Sequence, residues 1–285
     1  MSAPTIARPR PAGSSDPARG DAWVASAPTP TVRRGRRLVT IAILALVLPL
    51  LSATGAVVAL YATTDLPEIP PLEQTTMLLD RDGREVAALH ADVDRELIPF
   101  DQMPRSLRRA VVAVEDADFF RHDGLDPGAI LRATWANVTS GSLSQGGSTI
   151  TQQYVKNVLT GSERSVGRKV REAILAVKLE HTTSKREILE GYLNTVYFGH
   201  GAYGVQAAAR TYFDRDARDL TLLQSATLAG LIAAPSARDP FLHPDAATDA
   251  RTAALGRLVE VGWVSPERAR RLDGRPLGLA EERIV

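Results

Sequence analysis

The rhythm of apolar positions changes along the chain, and each change marks an element. Residues 1–32 are rich in Pro, Ala, Ser and Arg and almost free of bulky apolar side chains. Such a stretch buries too little surface to offset its ordering entropy and is expected to be disordered. From Leu38 to Ala62 the chain is continuously apolar, LVTIAILALVLPLLSATGAVVALYA. Those 25 residues make roughly 37 Å of helix at ~1.5 Å per residue, enough to cross a hydrocarbon core ~30 Å thick with some tilt. Pro49 stands mid-span and predicts a kink, which a membrane tolerates. The Pro-rich residues 65–75, DLPEIPPLEQT, read as an extended spacer. MLLDRDGREVAAL then reads as two short strands about an Asp82-Gly83 turn.

Beyond Phe100 the period becomes helical. Val111, Val114 and Phe119 punctuate one stretch; Val166, Val170, Ile174 and Val177 recur in another. Ile188, Leu189, Tyr192 and Leu193 continue the pattern, as does the run from Leu222 to Leu231. The chain is therefore expected to be mainly α. A basic tail over 1–37 and a transmembrane helix over 38–62 precede a linker with a short β segment over 63–100. The main domain follows over 101–272, then a tail over 273–285. No internal repeat is present.

Charge sharpens the membrane reading. Residues 1–37 hold seven Arg and two Asp, a balance of +5, and no charge lies between Leu38 and Thr64. With a net charge of +1, the remainder carries 1 − 5 = −4. A basic tail beside an apolar run orients a membrane protein with its N-terminus in the cytoplasm, placing everything after Asp65 outside. Arginines clustered against such a run argue against nucleic acid as a partner. A cleaved signal peptide is the alternative, and the small residues of Ser52–Gly55 suit a cleavage site. The run is nonetheless longer than the usual apolar core of ~7–15 residues, so an uncleaved anchor is expected. The chain has no cysteine, which excludes disulfides and thiolate metal sites.

Three stretches carry candidate chemistry. In the first, Glu115 lies in an apolar setting beside Asp116 and before Phe119 and Phe120. Desolvation raises a carboxyl pKa and suits it to general acid or base work near neutral pH. Composition alone favours a simpler reading, in which Glu115 and Asp116 solvate a helix end. His122, amid Asp116, Asp118 and Asp123, matches no standard metal-ligand spacing. In the second, Gly146-Gly147 precedes Ser148, Thr149, Thr151, Gln152 and Gln153, with Lys156 and Asn157 following. Glycines admit close backbone approach, and the neutral hydrogen-bonding groups suit sugar hydroxyls or phosphate oxygens; helix capping explains the same residues equally well. No Gly-Lys-Ser/Thr closes the loop, so it is not a P-loop. In the third, Arg168, Arg171 and Glu172 lie away from the apolar stripe of Val166, Val170, Ile174 and Val177. This is either a solvated face with Arg168–Glu172 pairing or a cationic face for a diphosphate.

Five blocks in order, EDADFFRHDGLD, GGSTITQQYVKN, RKVREAILAVKLE, KREILEGYLNTVYFGHGAYGVQAAARTYF and LAGLIAAP, resemble the glycosyltransferase family 51 domain over roughly residues 78–272. This is the peptidoglycan polymerase module of class A penicillin-binding proteins and monofunctional transglycosylases. The resemblance implies a mainly helical, lysozyme-like fold with a cleft beside the membrane. It also implies lipid II, a disaccharide-pentapeptide on undecaprenyl diphosphate, as substrate. By position, Glu115 corresponds to the catalytic base and Glu172 to the second essential carboxylate, while Lys156, Arg164 and Arg171 correspond to the groups holding the donor diphosphate. Ser148, Thr149, Gln152, Gln153 and Asn157 fall in the block lining the cleft, and Arg168 and Lys169 join the basic face. Family members vary in metal dependence, which allows Mg²⁺ or Mn²⁺ near Glu172. The segment 125–145, which holds Trp135, is expected by the same analogy to be a mobile, membrane-touching part of the cleft's edge. Arg171 stands where Lys is frequent, and Ile232 where Pro is frequent.

The implied partners are the growing glycan strand, membrane lipid and cell-wall proteins such as transpeptidases. A lysozyme-like hydrolase has no use for cations around a leaving diphosphate, and a catalytically dead scaffold has no need of Glu115, Glu172 and Lys156. No Ser-x-x-Lys occurs, so no transpeptidase activity is expected of this chain, although residues 256–279 resemble the run leading into such a domain.

Overall fold

The computed structural model describes residues 31–82, 85–89, 93–140, 147–161 and 165–281. Residues 1–30, Gly83 of the expected turn, and Arg164 lie outside the described residues. Two compact units divide at Ala59/Leu60.

The first unit is dominated by helix α1, Thr31–Thr63, which continues through Pro49. It begins ahead of the apolar run and takes up residues 31–37 of the expected tail, including 31–32 of the stretch expected to be disordered. Arginine is a good helix former, and one glycine among four arginines does not stop propagation from the long apolar segment. Leu38–Thr63 is long and apolar enough to cross a membrane, and its large apolar side chains are exposed.

The second unit opens with an antiparallel hairpin, β1 (Thr76–Leu79) and β2 (Glu85–Leu89), pairing Thr76 with Leu89 and Met77 with Ala88. The helices follow: α2 (Arg105–Glu115), α3 (Pro127–Ser140), α4 (Ile150–Val155), α5 (Val166–Thr182) and α6 (Lys185–Thr195). Then come α7 (Val205–Phe213), α8 (Leu222–Leu231), α9 (Pro244–Glu260) and α10 (Pro266–Asp273). Their starts are written locally. Thr149 with Gln152, Ser184 with Glu187 and Thr221 with Gln224 form capping boxes at α4, α6 and α8. Pro244 and Pro266 occupy the first turns of α9 and α10.

Helix α8 carries no charge and is buried nearly all round, packed between α2 and α9, with its polar Gln224, Ser225 and Thr227 hydrogen-bonded. Gly230 makes this approach possible, because a Cβ there would lie 2.6 Å from the Ala250 carbonyl oxygen. A second layer places α4 between α5 and α6. The segment after α10 is no loose tail. Leu277 is buried, the Ala280 N–H donates to the Tyr212 carbonyl at 2.9 Å, and the buried Arg251 guanidinium donates to the carbonyls of Asp273 and Arg275. That arginine caps the end of α10, which places 273–281 with the domain.

Candidate active site

Glu115 is the last residue of α2, and Asp116 leaves the helix at φ −161°. The buried Asp116 carboxylate accepts from the Ile150 N–H at 3.0 Å, while His122 Nε2 lies 3.0 Å from both of its oxygens. One carboxylate thus pins the start of α4 to the end of α2. Thr149 Oγ1 donates to the Gly124 carbonyl at 2.7 Å. Gly124 itself has φ +86°, and a Cβ there would stand 2.8 Å from the Ala176 backbone of α5. Glycine is required on both counts.

This clamp puts Gln153 beside Glu115. Gln153 Nε2 donates to Glu115 Oε2 at 2.7 Å, and Gln153 Oε1 accepts from the Tyr192 hydroxyl at 3.0 Å. Tyr192 is fully buried, and its pKa stands well above the ordinary phenol value because burial disfavours the phenolate. It therefore stays a donor and fixes which end of the Gln153 amide faces the carboxylate. The Glu115 pKa is raised, chiefly by burial; Asp116 adds to the rise, whereas the Gln153 hydrogen bond, Arg238 and Lys156 oppose it.

Glu115 opens into a cleft of 870 Å³ walled by the end of α2, by α3, by Gly147–Thr149 and by the turn after α8. Gly147 lets this wall close, since a Cβ would lie 3.2 Å from the Ile130 Cα. Ser148, Thr149, Gln153 and Lys156 line the cleft with Glu115. Among its cations, Arg132 pairs with Asp126 at 3.5 Å and Arg257 pairs with Glu260. Lys156 is exposed and makes no ion pair among the described residues.

The other expected site residues lie elsewhere. Glu172 is fully buried in a cluster with Arg168 one turn before it, the Thr160 hydroxyl at 3.2 Å and Lys169 Nζ at 3.1 Å. Lys169 Nζ also donates to Ser148 Oγ at 2.9 Å, which links this cluster to the cleft. The Gln152 side chain is buried in the α4 capping box. Asn157 and Arg171 are exposed and do not line the cleft. Beside Glu172, where the resemblance allows a divalent cation, Arg168 and Lys169 stand against the carboxylate, and Oε2 has no hydrogen-bond donor among the described residues. Among the described residues no cluster of three or more His, Asp or Glu side chains is arranged to hold one.

Tyr192, Asp126, Arg132 and Arg257 are parts of this arrangement that the sequence reading did not single out. Tyr192 falls on the apolar stripe of α6 and reads as core; nothing local says its hydroxyl meets Gln153. Asp126 and Arg132 stand at the start of α3 and Arg257 in α9, and they share no motif.

The family model described as transglycosylase matches residues 82–259. Penicillin-binding protein 1F of Bacillus subtilis is 40% identical over 208 residues, covering 73% of this chain and 29% of that protein. Penicillin-binding protein 1A of Aquifex aeolicus is 41% identical over 213 residues, covering 75% and 29% respectively. Penicillin-binding protein 1A of Mycolicibacterium smegmatis is 40% identical over 241 residues, covering 82% and 30%. The chain thus spans less than a third of the length of these relatives. The matched segment takes in more than half of the chain and every cleft residue from Val114 to Arg257. With this mainly helical, lysozyme-like domain, the chain belongs to the transglycosylase family.

Proposed function

We propose that the chain is a peptidoglycan glycosyltransferase that polymerises lipid II into β-1,4 glycan strands at the outer face of a bacterial membrane. One observation carries the reading: a carboxylate with a raised pKa, oriented by Gln153, shares a cleft with Lys156, an exposed cation outside any ion pair among the described residues.

The acceptor sugar 4-hydroxyl attacks the donor's anomeric carbon. As the new C–O bond forms, Glu115 takes the hydroxyl proton, and the bond to the diphosphate breaks with its electron pair. Displacement from the far side inverts the α-linked donor to a β linkage. General-base help of this kind contributes typically ~10²–10⁴-fold. The departing diphosphate needs charge stabilisation, which Lys156 supplies most strongly where water is excluded. Lys169, held between Glu172 and Ser148, stands at the cleft's edge as a second cation. Glu172 acts by holding Arg168 and Lys169. Arg171, Arg164 and Asn157 are proposed to meet the lipid-linked end of the substrate. A glycan hydrolase has no comparable use for Lys156.

Helix α1 is proposed as an uncleaved anchor with its N-terminus in the cytoplasm, as the arginines of residues 33–37 favour. The exposed Leu131, Trp135 and Val138 share one face of α3 at the cleft. Such a stripe suits membrane contact. The test is incorporation of labelled lipid II into glycan by detergent-purified protein, with Glu115→Gln alongside. Polymer from the wild type and none from the folded variant supports the reading; no polymer from either, across metals and detergents, moves it to a non-catalytic scaffold.

A further inference from the structure

A smaller concavity of 210 Å³ shares no lining residue with the cleft. Its floor is apolar, built from the buried Phe100, Val112 and Leu189, with Trp263 and the 59% exposed Phe120 at its edge. Its rim is cationic: Arg105, Arg108 and Arg109 all come from the start of α2. Arg108 stacks 4.2 Å over Phe100, and Arg109 lies 5.3 Å over Trp263. Stacking engages the flat faces of the guanidiniums and leaves their N–H edges available. Nearby Arg186 is answered by Asp101 at 2.7 Å. Arg105, Arg108 and Arg109 make no ion pair among the described residues, although Asp101 lies near enough to attract Arg108, and Arg108 Nε is buried without an acceptor. Their position adds to the imbalance. Helix α2 starts after Pro104 with no side-chain cap and no acidic residue in its first turn. Three cations therefore crowd the helix end whose dipole favours anions.

We propose that this pocket docks an acidic segment of a partner protein, seating one apolar side chain on the floor and its flanking carboxylates on Arg105, Arg108 and Arg109. The size decides against a small molecule, since pockets for those span ~300–1,000 Å³. It has room for a single anchor side chain. Aromatic rings and arginines are the residue types on which protein contacts concentrate their energy, and the arginine fork matches a carboxylate in bidentate fashion. An anionic lipid headgroup would meet the same guanidiniums, but its acyl chains have no continuing groove on this small floor.

Random dodecapeptides displayed on phage, panned against the full chain in detergent, test the proposal. Enriched peptides are expected to carry two or more Asp or Glu around a Leu, Phe or Trp. Their binding should fall at least tenfold in Arg105→Glu/Arg109→Glu and should weaken as salt rises. Phe120→Ala, which removes a largely exposed ring that also meets Phe119 edge-on at 5.0 Å, should weaken it without touching charge, and circular dichroism should remain that of the wild type in both variants. Peptides without acidic residues, or peptides binding both variants like the wild type, would overturn the proposal. So would a lack of enrichment together with arginine-dependent sedimentation on phosphatidylglycerol vesicles, which would make the pocket a lipid site.

Discussion

The Glu115 carboxylate is held where burial resists its ionisation. As the proposed base, Glu115 needs its ionised form, so the acid limb of kcat/KM against pH is expected above the ordinary glutamate value of ~4.3. Gln153 lowers that pKa by its hydrogen bond; Gln153→Leu should therefore move the limb to still higher pH. Tyr192→Phe, which only frees the amide to turn, should move it less in the same direction. A limb unmoved by Gln153→Leu would mean that another group sets it. The same shift bears on stability. Between the unfolded and the raised folded pKa the native state holds more protons, so stability falls as pH rises through that window. Glu115→Gln is thus expected to raise the melting temperature at neutral pH by about 2–4 °C per ~1 kcal/mol recovered, while glycan synthesis falls by ~10²–10⁴-fold. Thr149-x-x-Gln152 was readable as a capping pattern, and the structure uses it so. Gln153, one position on, faces Glu115 instead. Sequence placed both in one block but had no means of separating them, because a single helix position decides which side of α4 a glutamine takes.

Helices were the most legible level, because their caps and periods are local. The run from Leu222 to Leu231 read as helical and is helix α8, and the two short strands stand on either side of the expected turn. What the period of α5 left open was the fate of its charged face. Arg168 and Lys169 turn inward onto Glu172, whereas Arg171 points to solvent. This outcome depends on the π-helical stretch Lys156–Thr160 that follows α4, whose Thr160 meets the same carboxylate. Breaking one partner of a buried ion pair costs about 3–5 kcal/mol. Glu172→Gln should destabilise the domain at the lower end of that range, since the Lys169 side chain is half exposed and partly solvated. Denaturant melts read this directly, and an unchanged midpoint would leave the cluster without a structural role. Gly230→Ala drives a methyl into the Ala250 backbone, which cannot rotate away. Overpacking of this kind costs typically ~1–3 kcal/mol, and a melt as high as the wild type's would show that α8 and α9 separate easily.

The whole chain combines a compact domain with an apolar helix, and the two answer different physical demands. Thr64 is buried and Leu66 packs on the domain core, so the domain claims the chain from about Thr64 onward. A chain starting at Thr64 should therefore melt as the full chain does. Its proposed substrate, however, is confined to a bilayer. Tethering in the same thin layer raises effective concentration without any new contact, and gains of ~10²–10⁴-fold are typical where geometry permits simultaneous engagement. On lipid II in vesicles, the shortened chain should lose at least tenfold in rate. In detergent micelles that disperse enzyme and substrate alike, the two should run within about twofold. The apolar stripe of α3 offers a second hold on the membrane, so replacing Leu131 and Trp135 by Ser in the shortened chain should deepen the vesicle defect and leave the micelle rate unchanged. Equal rates for the full and shortened chains on vesicles would assign α1 to placement in the cell alone, with the domain's own surface sufficient to find the bilayer.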